Sequence, residues 1–219
     1  MTASGVRPSV IPKAIKGFEH IKRFWEPKFS VVAAKILPGE CYVSDRHEMI
    51  TTVLGSCISA CVRDPVAKVG GMNHFMLPIQ SGTEGISRTA VMDPALCYGN
   101  WAMEYLLNAV MKLGGKKERM EVKIFGGGRV LSGMSNIDVG KQNIEFVLEF
   151  LEKERLKISA QDVGDIYPRK VLYFPDTGSV KVKKLKTDQR TAVTREVEQQ
   201  EKRYLDSMTK PASTDIELF

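Results

Sequence analysis

The chain has 219 residues, 43% hydrophobic and 26% charged, with a formal net charge of +6; this is the balance of an ordinary globular protein able to bury one sizeable core. No apolar run approaches the roughly 20 residues of a membrane span, residues 1–40 show no basic-apolar-small leader pattern, and cysteines at 41, 57, 61 and 97 form no CxxC pair. A soluble, cytosolic protein with reduced thiols and no disulfide framework is therefore expected. The basic residues are dispersed rather than interleaved with aromatics on one face, which argues against nucleic acid. Their densest run, Lys181–Lys186, is broken by Val182 and Leu185 in the manner of a solvated strand face.

In chain order, residues 1–30 mix Pro8, Pro12 and Pro27 with scattered basic residues and read as a loosely attached, flexible arm. Val31–Leu37 predicts a strand stopped by Pro38-Gly39, and Met49–Leu54 a second one running into Gly55-Ser56-Cys57. Cys57–Arg63 and Gly70–Leu77 flank Asp64-Pro65-Val66-Ala67, an Asp-Pro turn signal, and predict a hairpin. Ala102, Leu106, Ala109, Val110 and Leu113 fall at helical spacing over about Pro94–Leu113, with Gly114-Gly115 as the stop. Val122–Phe125 predicts a buried strand leading into Gly126-Gly127-Gly128, and Val139–Lys153 a second amphipathic helix. Val171–Phe174 and Val180–Leu185 predict a strand pair turning at Asp176-Thr177-Gly178. The sum is an α/β single-domain layered sandwich, residues 31–186, with mixed or antiparallel sheets and two long helices. Residues 187–219 read as a charged extension, with a lone helix over Thr194–Met208 and a flexible tail.

The hairpin carries the chemistry. A turn centred between Pro65 and Val66 sets Cys57 directly opposite His74, and cross-strand Cβ atoms lie roughly 4.5–5.5 Å apart, within reach of a thiol–imidazole contact. A bulge at Gly70-Gly71 would break that register. An imidazole beside a thiol favours the nucleophilic thiolate, the chemistry of acyl transfer. Gly55 and Ser56 add backbone N–H groups suited to an oxyanion, and Asn73 is a further candidate for substrate or oxyanion binding. A zinc site from Cys57, Cys61 and His74 would need Cys41, Cys97 or His47 as a distant fourth ligand, and the spacings fit no zinc pattern; neither metal nor cofactor is expected. Gly126-Gly127-Gly128 lacks the Lys-Ser/Thr of a phosphate loop. Cys41, Cys61 and Cys97 read as packing residues, His20 and His47 as surface groups, and Gly82–Arg88 as either a binding loop or a plain one.

Thr51–Cys57, Asp64-Pro65 and Gly70–Pro78 closely resemble the chemoreceptor glutamine deamidases, CheD, and the likeness continues in Lys123–Gly127, Val139–Asn143, Asp162–Gly164 and Pro175–Gly178. The resemblance spans roughly Ile36 to Leu185. It implies an α/β sandwich with a Cys-His-Thr set: Cys57 the nucleophile, His74 the general base and later acid, and Thr51 the group orienting the imidazole. Adjacent Thr52 is expected on the opposite strand face. The resemblance also implies deamidation of glutamines on the cytoplasmic helices of methyl-accepting receptors, with receptor methyl esters as a second candidate substrate. It further implies recruitment to receptor arrays at the inner face of the membrane, without membrane insertion, and a CheC-like phosphatase as a further partner. The competing expectation is a regulatory binding module in which catalysis is secondary.

Overall fold

The computed structural model describes residues 10–78, 94–130, 138–185 and 192–209, with the side chains of 94–97, 192–194 and 209 left aside. Among these residues ten strands form two five-stranded sheets. The first contains β1 (Lys22–Glu26), β2 (Val31–Lys35), β4 (Glu48–Leu54), β9 (Arg169–Phe174) and β10 (Ser179–Lys184) in that spatial order. The second runs β3 (Cys41–Ser44), β6 (Val69–Asn73), β5 (Ile58–Asp64), β7 (Glu121–Gly126), β8 (Lys157–Val163). The β2–β4 and β7–β8 pairs are parallel and the others antiparallel, so both sheets are mixed, as the pattern of hairpins and helices predicts.

The sheets stack face to face. Strand alternation sends Ile50, Thr52 and Leu54 of β4 inward, and Ile50 and Leu54 join one continuous core with Val171 and Tyr173. The Tyr173 hydroxyl spans the gap and donates to the Val62 carbonyl at 3.1 Å. Helix α1 (Pro94–Lys112) packs on β6, β3 and β5, and α2 (Val139–Lys153) on β8 and β5, making a third layer outside the second sheet. Both helices bury an apolar stripe, Met103, Leu106 and Val110 in α1 and Phe146, Val147, Phe150 and Leu151 in α2.

The structure departs from the sequence reading at the edges. Residues 22–26, placed in the flexible arm, form β1, and Phe18 and Ile21 beside them are buried. Buried Glu48 ties this segment in: it pairs with Arg23 and accepts from the Tyr42 and Ser44 hydroxyls at 2.8 Å each, linking β1, β3 and β4. Short, fully buried β3 and polar edge strand β8 escape a search for apolar alternation. The helix expected to stand alone, α3 (Ala192–Thr209), instead docks on the body through buried Val197, Glu201 and Leu205. The Gly82–Arg88 loop lies outside the described residues.

Candidate active site

Gly55-Ser56-Cys57 links β4 in one sheet to β5 in the other, and its three carbonyls are each held by the framework. Gly128 N–H donates to the Gly55 carbonyl and Gly127 N–H to the Cys57 carbonyl, both at 2.7 Å. The Asn143 amide of α2 donates to the Ser56 carbonyl, and its oxygen accepts from Leu77 N–H, both at 2.8 Å. Gly126 and Gly127 have φ of 114° and 65°, and a Cβ on Gly126 would stand 2.2 Å from the Cys57 carbonyl oxygen; only glycine allows this clasp. Buried Arg169 supports it from behind, donating to the Gly126 and Gly164 carbonyls at 2.5 Å each.

With the carbonyls clamped, the N–H groups of the loop converge on one anion. Gly55 N–H and Cys57 N–H donate to Oε1 of Glu201 at 2.9 and 3.0 Å, and Ser56 N–H donates to Oε2 at 2.8 Å. Such a concave cluster of amides is an anion nest. Gly55 leaves room for the approach, since a Cβ there would meet Glu201 Oε2 at 2.7 Å.

His74 follows β6 and faces the same inter-sheet space. The hairpin turn comprises four residues, Pro65 to Lys68, between the paired Asp64 and Val69. The Asp64 carboxylate accepts from Val66 and Ala67 N–H, and Lys68 takes a left-handed φ of 55°. The turn centre therefore lies one residue later than the sequence suggests, and Cys61 pairs with Met72 and Ile58 with Phe75. His74 falls across from Ser59, diagonal to Cys57 rather than opposite it. A slip of two residues preserves the face, so thiol and imidazole still meet: Cys57 Sγ, a ring nitrogen of His74 and a Glu201 oxygen lie within 4.8 Å of one another.

The threonine beside the imidazole is Thr52, not Thr51. Thr52 Oγ1 lies 2.8 Å from His74 Nδ1 and donates to the Ile36 carbonyl at 2.8 Å. A hydroxyl has one proton. Given to Ile36, it leaves oxygen lone pairs to accept from Nδ1–H, so the neutral ring keeps its lone pair on Nε2. That nitrogen is buried and has no hydrogen-bond partner among the described residues. Thr51 alternates to the opposite face with Met49, which packs with Val31, Ala33 and Phe174 away from the site. Asn73 likewise points away from His74: its oxygen accepts from Ala60 N–H at 2.8 Å and its amide donates to the Ala102 carbonyl of α1 at 3.2 Å. Asn73 is thus framework, and the amides of Gly55, Ser56 and Cys57 are the oxyanion candidates.

Burial dominates the electrostatics. It raises the Cys57 thiol well above its ordinary pKa, the Glu201 charge and hydrogen bond push the same way, and the backbone opposes them. His74 is pushed down to about 3 by burial, against a backbone contact from Ile36. Burial raises Glu201 too, while its bonds from Cys57, Ser56 and Gly55 favour the carboxylate. Both catalytic candidates are thus neutral with α3 in place. Cys57, His74 and Glu201 offer metal-ligand atom types, but both carboxylate oxygens are engaged by backbone N–H, and the arrangement suits a bound anion beside a thiol better than a cation. Cys61 is buried within β5, and Cys41 is buried on β3 beside the cavity that borders His74. A cavity of about 160 Å³ borders His74, lined also by His20, Glu40, Cys41, Tyr98 and Trp101.

Sequence reasoning missed Asn143 and Glu201. Asn143 belongs to a motif that carries the family resemblance, and its full burial at the start of an amphipathic helix marks it. Glu201 had a subtler signal, a carboxylate centred between Val197 and Leu205 on the apolar stripe of a charged helix.

Comparisons with known proteins supply the family. The family model described as CheD chemotactic sensory transduction matches residues 76–184. A protein of Saccharophagus degradans named probable chemoreceptor glutamine deamidase CheD is 53% identical over 94% of this chain and 93% of its own length. Proteins of the same name from Halorhodospira halophila and Hahella chejuensis are each 48% identical, covering 97% and 100% of this chain and 96% and 100% of their own. With identity of this order sustained along nearly the whole length of both partners, the chain belongs to the CheD family.

Proposed function

We propose that the chain is a protein-glutamine deamidase acting on chemoreceptors, with Cys57 as nucleophile, His74 as general base and acid, and Thr52 as the residue that holds the imidazole. The observation that carries this reading is the anion-binding amide cluster of Gly55, Ser56 and Cys57 beside a thiol and an imidazole lone pair. The names of the full-length relatives supply the substrate class.

His74 Nε2 takes the thiol proton as sulfur attacks the carboxamide carbon of a glutamine. The oxygen becomes an oxyanion among the loop amides. The imidazolium then protonates the amide nitrogen, the C–N bond breaks, and ammonia leaves a thioester on Cys57. Water, deprotonated by the same imidazole, attacks the thioester; glutamate departs and the thiol is restored. Thr52 keeps the proton on Nδ1 throughout, so the base stays aimed at sulfur. A receptor methyl ester presents the same carbonyl with methanol as leaving group, and the same steps would hydrolyse it. Incubating a receptor cytoplasmic fragment with wild-type and Cys57→Ala protein and mapping peptide masses tests the proposal: glutamine becomes glutamate, about one dalton heavier, only with the thiol present.

A further inference from the structure

We infer that α3 occupies the substrate groove as a built-in product mimic, the Glu201 side chain standing where a newly formed glutamate would lie, so that catalysis requires α3 to be displaced by a glutamine-bearing helix. The inference rests on the deamidase reading and adds to it a regulatory state.

Three observations converge. First, Glu201 engages all three oxyanion candidates, leaving no N–H of the loop for another carbonyl. Second, its carboxylate comes within 4.8 Å of both the Cys57 thiol and the His74 ring, beside the two groups to which a side-chain acyl carbon must be brought for attack. A glutamate there is chemically what glutamine becomes after ammonia leaves. Third, the side chain arrives on a helix seated by Val197 and Leu205, four residues before and after it, with Tyr204 packed on Tyr98 of α1. The groove therefore accepts a helix with apolar residues at −4 and +4 around a central carboxyl-type side chain. A carboxylate supplies acceptors to three donors, whereas a carboxamide has one oxygen and would present its NH2 to the Ser56 N–H. Glutamate thus holds the resting state more firmly than glutamine would, and the same charge suppresses thiolate formation at Cys57.

The test uses the full chain with Glu201→Ala and, because loss of the carboxylate leaves three buried amides open, a second variant, Leu205→Asp, that unseats α3 without touching them. Iodoacetamide labelling of Cys57 is expected to quicken on the order of tenfold in both, since access and thiolate fraction set the rate, and receptor deamidation to rise several-fold. In Glu201→Gln the enzyme should process its own side chain. The introduced carboxamide is hydrolysed back to the carboxylate, about one dalton heavier, or stalls as a Cys57 thioester about 17 daltons lighter through loss of ammonia, and neither forms in the Glu201→Gln, Cys57→Ala double variant. Unchanged labelling and turnover in both unseating variants would overturn the inference. So would a carboxamide that stays intact in Glu201→Gln protein while that protein still deamidates receptor. Labelling needs no receptor, so faster labelling without any receptor deamidation would sustain the occluding role while sinking the deamidase reading.

Discussion

Replacing Thr52 by valine keeps the shape of the side chain and removes its hydroxyl, while the same change at Thr51 serves as the matched control. In the wild type the Thr52 oxygen sits 2.8 Å from both the Ile36 carbonyl and His74 Nδ1. Valine takes the hydroxyl acceptor from Nδ1–H in a pocket where His74 is 2% exposed. An unsatisfied buried donor costs about 1–3 kcal/mol. A cost of that size cancels the preference for the Nδ1–H tautomer, and a ring that carries its proton on Nε2 offers no base to the thiol. At about 1.4 kcal/mol per tenfold in rate, kcat should fall between roughly 5-fold and 150-fold. Thr51→Val, on the outer face of the sheet, should stay within about twofold. The assay is the initial rate of glutamine-to-glutamate conversion in a receptor fragment, followed by peptide mass. A large loss in Thr51→Val with near-normal Thr52→Val would refute the assignment of the imidazole's partner.

Asn143→Ala removes the amide that bridges the Ser56 carbonyl and the Leu77 N–H, and should lower stability by about 2–4 kcal/mol, seen as a lower thermal midpoint, with a larger relative loss of activity because the Gly55–Cys57 loop loses one of its three clamps. For His74, folding depresses the pKa from 6.5 to about 3. The unfolded chain then binds the extra proton first as pH falls, so this contribution is complete above about 6.5 and shrinks on acidification toward 3. Between pH 7 and pH 5 it should amount to about 2 kcal/mol of lost stability, read as the difference between wild-type and His74→Asn urea midpoints at the two pH values. Equal slopes for the two proteins would contradict a buried neutral imidazole.

Much of this architecture is legible in the sequence because periodicity survives wherever one face is wet. Helices α1 and α2 and the β9–β10 pair show it. Strand β4 does not, since Met49 and Thr51 are as buried as Ile50 and Thr52, and two-sided burial erases the phase that would separate the two threonines. The meeting of Cys57 and His74 survives an error of two residues in register because an even slip keeps side chains on one face. The turn chemistry responsible, Asp64 capping two amides and a left-handed Lys68, is a side-chain detail that a bare Asp-Pro signal does not specify. Glu201 lies 144 residues from Cys57 in the chain. No local rule connects them, and a helix rich in charge reads as free in solvent until its few apolar residues find a groove.

In the proposed reaction the Cys57 thiol performs the deamidation. Wild-type protein and Cys57→Ala, mixed with the same receptor cytoplasmic fragment, are to be compared by peptide mass mapping over time. Chosen glutamines should each gain about one dalton with the wild type and stay unchanged with the variant; conversion at equal rates by both proteins would contradict the account.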